Sequence, residues 1–88
     1  MRKVTLFTRA GCHLCALALQ TIEHVRSRVG IELEVIDIDL PANERWLDQY
    51  DHHVPVVHID GQEFAHHRLD ERAFASALEE SSGDRPSK

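Results

Sequence analysis

The chain has two cysteines, Cys12 and Cys15, separated by His13 and Leu14 and preceded by Gly11. A strand-like run, Lys3–Thr8, stands before them and a helix-like run follows. A sulfur at the first position lies over the free N–H groups of the helix's opening turn, where partial positive charge favours thiolate over thiol. The second sulfur, three residues on, lies on nearly the same helix face and can close a short disulfide. The chemistry this spacing points to is thiol–disulfide exchange.

The remaining reactive side chains are histidines. There are seven in 88 residues, including the adjacent pairs His52-His53 and His66-His67. Tetrahedral zinc would need Cys12 and Cys15 plus two further ligands. Adjacent side chains on extended backbone point apart, so each pair offers one convenient ligand. His24 and His58 read as ordinary surface or packed residues. His13, next to Cys12, would as imidazolium stabilise a Cys12 thiolate.

Composition sets wide bounds. The length is that of one domain, with 42% hydrophobic and 28% charged residues. Fifteen acidic residues against ten basic ones give a net charge of -5. That balance argues against a nucleic-acid partner, since phosphate binding needs clustered Lys and Arg. No run reaches the roughly 20 apolar residues of a membrane span, and the apolar stretch after Met1-Arg2-Lys3 is too short for a secretory signal. The expected compartment is the cytoplasm, where a cysteine pair is more often a redox centre or a metal site than a staple.

The elements that must position the cysteines follow from periodicity. Lys3–Thr8 reads as a first strand, ended by Arg9-Ala10-Gly11. A first helix is expected from Cys12 to Val29, with Cys15, Ala18, Ile22, Val25 and Val29 as its apolar stripe and Gly30 beyond its end. Ile31–Ile38 reads as a second strand. Its alternation slips at Ile36 and Ile38, which predicts burial on both faces near its end, or a bulge. Pro41 opens a second helix, Ala42–Tyr50, that turns Trp46, Leu47 and Tyr50 inward. Val54–Ile59 is a third strand opened by proline. Asp60-Gly61 is a two-residue hairpin signal, making Gln62–Ala65 an antiparallel fourth strand. Asp70 caps a last helix reaching Glu80, and Leu69 and Phe74 are spaced as a hydrophobic staple. Residues 81–88 read as a disordered polar tail behind a single domain at 1–80. The order is β-α-β-α-β-β-α: an α/β fold with a four-stranded mixed sheet and three helices, in which helix connections imply that the first three strands are parallel.

This order, with Cys12-x-x-Cys15 at the first strand-to-helix turn and Val54-Pro55 before the third strand, resembles the thioredoxin fold. Its shortness, the Gly11-Cys12 start and Val54-Pro55-Val56 resemble the small bacterial glutaredoxin-like proteins, over about residues 2 to 80. The resemblance implies that Cys12 is the nucleophile and Cys15 the resolving thiol. It implies that Pro55 is a cis-proline whose Val54 backbone faces substrate, that Arg9 meets a glutathione carboxylate, and that Asp70 meets a substrate amino group. Beside these, His13, Leu14 and His53 complete the expected substrate contacts. Three departures stand out. Where glutaredoxins usually carry Pro-Tyr between the cysteines, Thr before Val-Pro and Gly-Gly before the last helix, this chain has His13-Leu14, His53 and His66-His67. These fall on glutathione-binding positions and leave the dithiol intact.

The expected function is a monomeric dithiol oxidoreductase with no bound cofactor and no metal. It would act on a disulfide-containing protein or a glutathione mixed disulfide, with glutathione as a possible reductant and no nucleic-acid or membrane partner. Two other classes use the same features: a metal or iron–sulfur module ligated by Cys12 and Cys15, and a non-catalytic adaptor binding at the Val54 edge.

Overall fold

The computed structural model describes residues 2–82. In chain order the elements are β1 (Arg2–Thr8), α1 (His13–Arg26), β2 (Ile31–Asp37), a 3₁₀ turn (Pro41–Asn43), α2 (Glu44–Tyr50), β3 (Val56–Ile59), β4 (Gln62–His66) and α3 (Glu71–Ser82). The strands form one sheet in the order β2-β1-β3-β4, and the expected succession of elements holds. Residues 83–88, most of the expected tail, lie outside the described residues.

β1 is a central strand, paired along both edges by β2 and β3, and side chains pack against both of its faces. Val4 and Leu6 point into a cluster with Ala18, Ile22 and Val25 of α1, Val57 and Ile59 of β3, and Phe74 and Leu78 of α3. Phe7 points the other way, into a smaller cluster with Ile38, Tyr50 and Val56, closed by Trp46 and Leu47. The α1 stripe is buried at Cys15, Ala18, Ile22 and Val25. The helix ends at Arg26 rather than Val29, because the N–H groups of Arg28 and Val29 both turn back to the Val25 carbonyl at 2.9 Å.

The apolar slip in the second strand has a different cause from either one expected. Register with β1 runs unbroken from Arg2↔Ile31 to Thr8↔Asp37, so β2 carries no bulge. Nor is its end buried on both faces, for Val35 is 48% exposed. The slip marks a change of layer: Ile31 and Leu33 pack with the α1–α3 cluster, Ile36 and Ile38 with the α2 cluster. The bulge in this sheet lies between β3 and β4, at Val57/His58.

The direction of the third strand corrects the expectation of three parallel strands. β2 is parallel to β1, but β3 is antiparallel to it, pairing Val4↔Ile59 and Phe7↔Val56. The connection between Asp37 and Val56 brings the chain back at the end of the sheet where β1 and β2 finish, so β3 sets out from there. It begins at Val56 rather than Val54, and β4 extends one residue further than expected, to His66. The turn between them places Asp60 at φ 51° and Gly61 at φ 87°, the two positive values of a type I′ hairpin turn.

Asp70 caps α3: its carboxylate accepts the Ala73 N–H at 2.9 Å. Leu69, just before the cap, packs in the same cluster as Phe74, as a hydrophobic staple requires. On the α2 face, His58 is half-buried, with Nε2 2.9 Å from the Tyr50 hydroxyl and its ring edge against Phe7. Burial lowers the His58 pKa from its usual range, opposed in part by Glu63.

Two outcomes follow. Asp70→Ala is expected to lower stability by about 1 kcal/mol in urea unfolding, and Asp70→Asn by much less, because Asn also caps. The folded state disfavours imidazolium at His58, so this residue adds stability that is fully present above the ordinary pKa of about 6.5 and is lost as pH falls through the lowered folded value. The unfolding free energies of wild type and His58→Gln, compared between about pH 5 and about pH 7.5, are expected to show a steeper rise with pH for wild type.

Candidate active site

The site is built at the end of β1. Thr8 closes the strand, Gly11 turns the chain at φ 77°, and Cys12 becomes the N-cap of α1 with extended backbone angles. The Cys15 N–H donates to the Cys12 sulfur at 3.1 Å, and the Ala16 N–H to the Cys12 carbonyl at 3.2 Å. No acidic side chain stands in the first turn of α1, so the sulfur is the group that meets the helix's positive end. Cys12 and Cys15 form a disulfide, with their Cα atoms 5.2 Å apart. Cys12 is half-buried, whereas Cys15 is 3% exposed and part of the α1 stripe.

The antiparallel pairing of β3 brings the other end of the site into place. Beyond Phe7↔Val56, the chain before β3 runs alongside the turn that leads out of β1. There the Val54–Pro55 peptide bond is cis. Pro55 is buried and Val54 half-buried. The Pro55 carbonyl accepts the His67 N–H at 2.8 Å, which ties the segment after β4 to the segment before β3. His67 in turn lies with Leu14, Leu17, Ala18, Thr21, Arg68 and Leu69 around a groove of about 90 Å³. Cys12, Cys15, Leu14, Val54 and Pro55 therefore belong to one end of the molecule. His13 is exposed at the first helical position, and His53 is exposed in the loop after α2.

His66 and His67 do not point apart. The rings of His66 and His67 lie 5.0 Å centre to centre, and each is 5.9 Å from that of His53. His67 has φ 66°, a left-handed conformation that breaks strand alternation after β4 and swings its ring to the same side. Its Nε2 lies 2.9 Å from the His52 carbonyl, and His66 Nδ1 lies 3.1 Å from a Glu63 oxygen. Among the described residues no set of three or more His, Cys, Asp or Glu side chains is arranged to hold a metal ion.

Two expected contact residues are engaged elsewhere. Arg9 donates to both carboxylate oxygens of Asp39, at 2.7 and 3.1 Å, and through Nη1 to the Asp51 carboxylate and carbonyl, at 2.8 and 2.7 Å. It joins the end of β1 to the loop after β2 and to the residue after α2, and it holds the Asp51 carboxyl below the usual range. Asp70, besides its cap, lines a separate depression with Arg28, Glu71 and Arg72. Of the groove residues, Leu17, Arg68 and Leu69 are not marked as site residues by the sequence. The available signal was Leu17, a large apolar residue of α1 outside the buried stripe.

The comparisons with known proteins agree with this geometry. A protein of Mycobacterium tuberculosis, named only as uncharacterized, is 30% identical over 96% of this chain and 90% of its own length. A glutaredoxin-like protein of Dictyostelium discoideum is 36% identical over 86% of this chain and 74% of its own. Among solved structures, a Nitrosomonas europaea protein superposes with a TM-score of 0.73 at 33% identity, covering 88% of this chain and 91% of that one. A thioredoxin variant from Halobacterium salinarum gives 0.73 at 20% identity, covering 97% and 78%. The fold is thus thioredoxin-like, and a Cys12–Cys15 pair at disulfide distance within it supports a redox-type function. The model of the glutaredoxin-like domain (DUF836) matches residues 3–79, and the chain belongs to that family.

Proposed function

We propose that the protein is a thiol–disulfide oxidoreductase that reduces a protein disulfide or a glutathione mixed disulfide with its own dithiol. One observation carries the reading: the half-buried Cys12 sulfur sits at the N-cap of α1 and accepts the Cys15 N–H at 3.1 Å. A hydrogen bond from a backbone N–H and the helix's positive end both favour a sulfur anion. Free cysteine has a pKa of about 8.5, and Cys-x-x-Cys nucleophiles at helix N-termini fall to about 3.5–7.5. (Those reference values come from proteins of this same fold.) An exposed imidazolium at His13 would add to the effect.

The reaction needs two exchanges. The Cys12 thiolate attacks one sulfur of the substrate disulfide, forms a mixed disulfide and expels the first substrate thiolate, which takes up a proton. The Cys15 thiol loses its proton, and its thiolate then attacks the Cys12 sulfur, closes the Cys12–Cys15 disulfide and expels the second substrate thiolate. The substrate gains two electrons and two protons and the dithiol loses them. An external thiol, glutathione or the dithiol of a reductase, restores the reduced form. The burial of Cys15 suits a thiol that acts only after Cys12 has been loaded.

Alkylation of the reduced protein against pH, with and without chelator, checks this directly. Rapid modification of Cys12 is expected, with a midpoint below the ~8.5 of a free thiol and no effect of chelator. Slow modification released only by chelator would mean that the thiols are metal ligands. Cys12→Ser is expected to abolish disulfide reduction. Cys15→Ser is expected to trap a mixed disulfide, visible by mass spectrometry, or to leave only monothiol exchange. Full activity in Cys12→Ser would overturn the mechanism.

A further inference from the structure

The edge of the sheet at β4 carries a group of side chains that the dithiol chemistry does not use. His53, in the loop after α2, and His66 and His67, at the end of β4, are exposed. Their ring centres stand 5.0 Å apart for His66–His67 and 5.9 Å apart for the two pairs that include His53.

Hydrogen bonding fixes two of the three tautomers. An ionised carboxylate and a backbone carbonyl can only accept. His66 Nδ1 therefore donates to Glu63 at 3.1 Å, and His67 Nε2 donates to the His52 carbonyl at 2.9 Å. In a neutral imidazole the second nitrogen then carries the lone pair, which is Nε2 of His66 and Nδ1 of His67. Metal-binding histidines are held in this way, with one ring nitrogen donating to a carboxylate or carbonyl and the other left for the ion. His53 can take either tautomer. Glu63 brings negative charge to the cluster through His66, against the positive charge of Arg68, the residue after His67.

Distances show how far this cluster is from a coordination shell. Zinc binds imidazole nitrogen at about 2.0–2.1 Å, so a ring centre stands about 3.2 Å from the ion and tetrahedral neighbours about 5.2 Å apart. His66 and His67 already have this spacing. Both wider separations involve His53, so the three rings as they stand do not close around an ion. A shift of His53 by about 0.7 Å, with a turn of its ring, would complete the set. That movement falls on one exposed side chain of a loop. Three imidazoles suit zinc and copper, whereas magnesium and calcium take oxygen ligands.

We propose that His53, His66 and His67 form a site for a divalent transition-metal ion of the zinc and copper class, with the fourth position left to water. Glu63 and the His52 carbonyl are its positioning groups. The site uses neither cysteine and does not depend on the oxidoreductase reading. A bound ion would link the loop that leads into Val54 to the segment after β4, where the His67 N–H already meets the Pro55 carbonyl at 2.8 Å.

Calorimetric titration with Zn²⁺ tests this. It uses the oxidised protein, whose closed Cys12–Cys15 disulfide offers no thiolate, at about pH 7.5, where ordinary imidazoles are neutral. One ion per chain is expected, and no binding of Mg²⁺. His53→Gln and His66→Gln are each expected to weaken binding by about tenfold or more, and Glu63→Ala by about 10–100-fold. His24→Gln, on α1 and paired with Glu71, is expected to leave it unchanged. Circular dichroism confirms the fold of each variant. Cu²⁺ in place of Zn²⁺ reads the ligands by electron paramagnetic resonance, with coupling to three imidazole nitrogens in wild type and to two in each of the His53 and His66 variants. Zinc bound by the reduced protein alone would assign the ion to the cysteines and overturn the site. So would weak uptake of several ions, which is adventitious binding only, or an affinity that neither His53→Gln nor His66→Gln lowers.

Discussion

The hydrogen bond from the Cys15 N–H to the Cys12 sulfur is the contact on which the rest of the arrangement depends. It requires Cys12 to be the N-cap of α1 rather than a residue inside the helix, because only a capping side chain reaches back over the open first turn. That in turn requires the helix to begin at one defined residue. Gly11, in a left-handed conformation, gives the chain the turn it needs between Thr8 and Cys12. The buried stripe from Cys15 to Val25 then holds the helix in rotation. A rotation that exposed Cys15 would also withdraw Ala18, Ile22 and Val25 from the core, so the unequal exposure of the two sulfurs is a consequence of packing.

Burial of β1 on both faces extends this constraint to the rest of the domain. Val4 and Leu6 anchor the α1–α3 layer and Phe7 anchors the α2 layer. The aromatic contacts of Phe7 with Trp46, Tyr50 and His58 fix where α2 lies. Arg9, bridging Asp39 and Asp51, holds both ends of the α2 connection to the end of β1. Exposed ion pairs of this kind contribute little stability individually. The value of this one is positional, since it keeps the loop that leads into Val54 against the turn that carries Cys12.

Much of this was legible in the residues. The Cys-x-x-Cys spacing, the strand before it and the 3- and 4-residue stripe after it are local signals, and each depends on interactions within a few residues. The hairpin at Asp60-Gly61 and the cap at Asp70 are of the same kind. So is the burial of Trp46, Leu47 and Tyr50, which a short amphipathic helix dictates by itself.

What only the tertiary structure decided involves distances across the sheet. The direction of β3 rests on which end of the sheet the connection after β2 returns to, which a list of elements does not give. Had β3 run parallel, Pro55 would have stood at the opposite end of the sheet from Cys12. The convergence of His53, His66 and His67 depends on one left-handed residue, His67, which is not Gly, Asn or Asp and so gave no turn signal. The partners of Arg9 are thirty and forty-two residues away, and the groove beside Leu14 joins α1 to the segment before α3. Local chemistry is written in neighbouring residues and the sequence determined it. Selectivity comes from surfaces that separate segments build together, and their geometry is settled only when the whole sheet has closed.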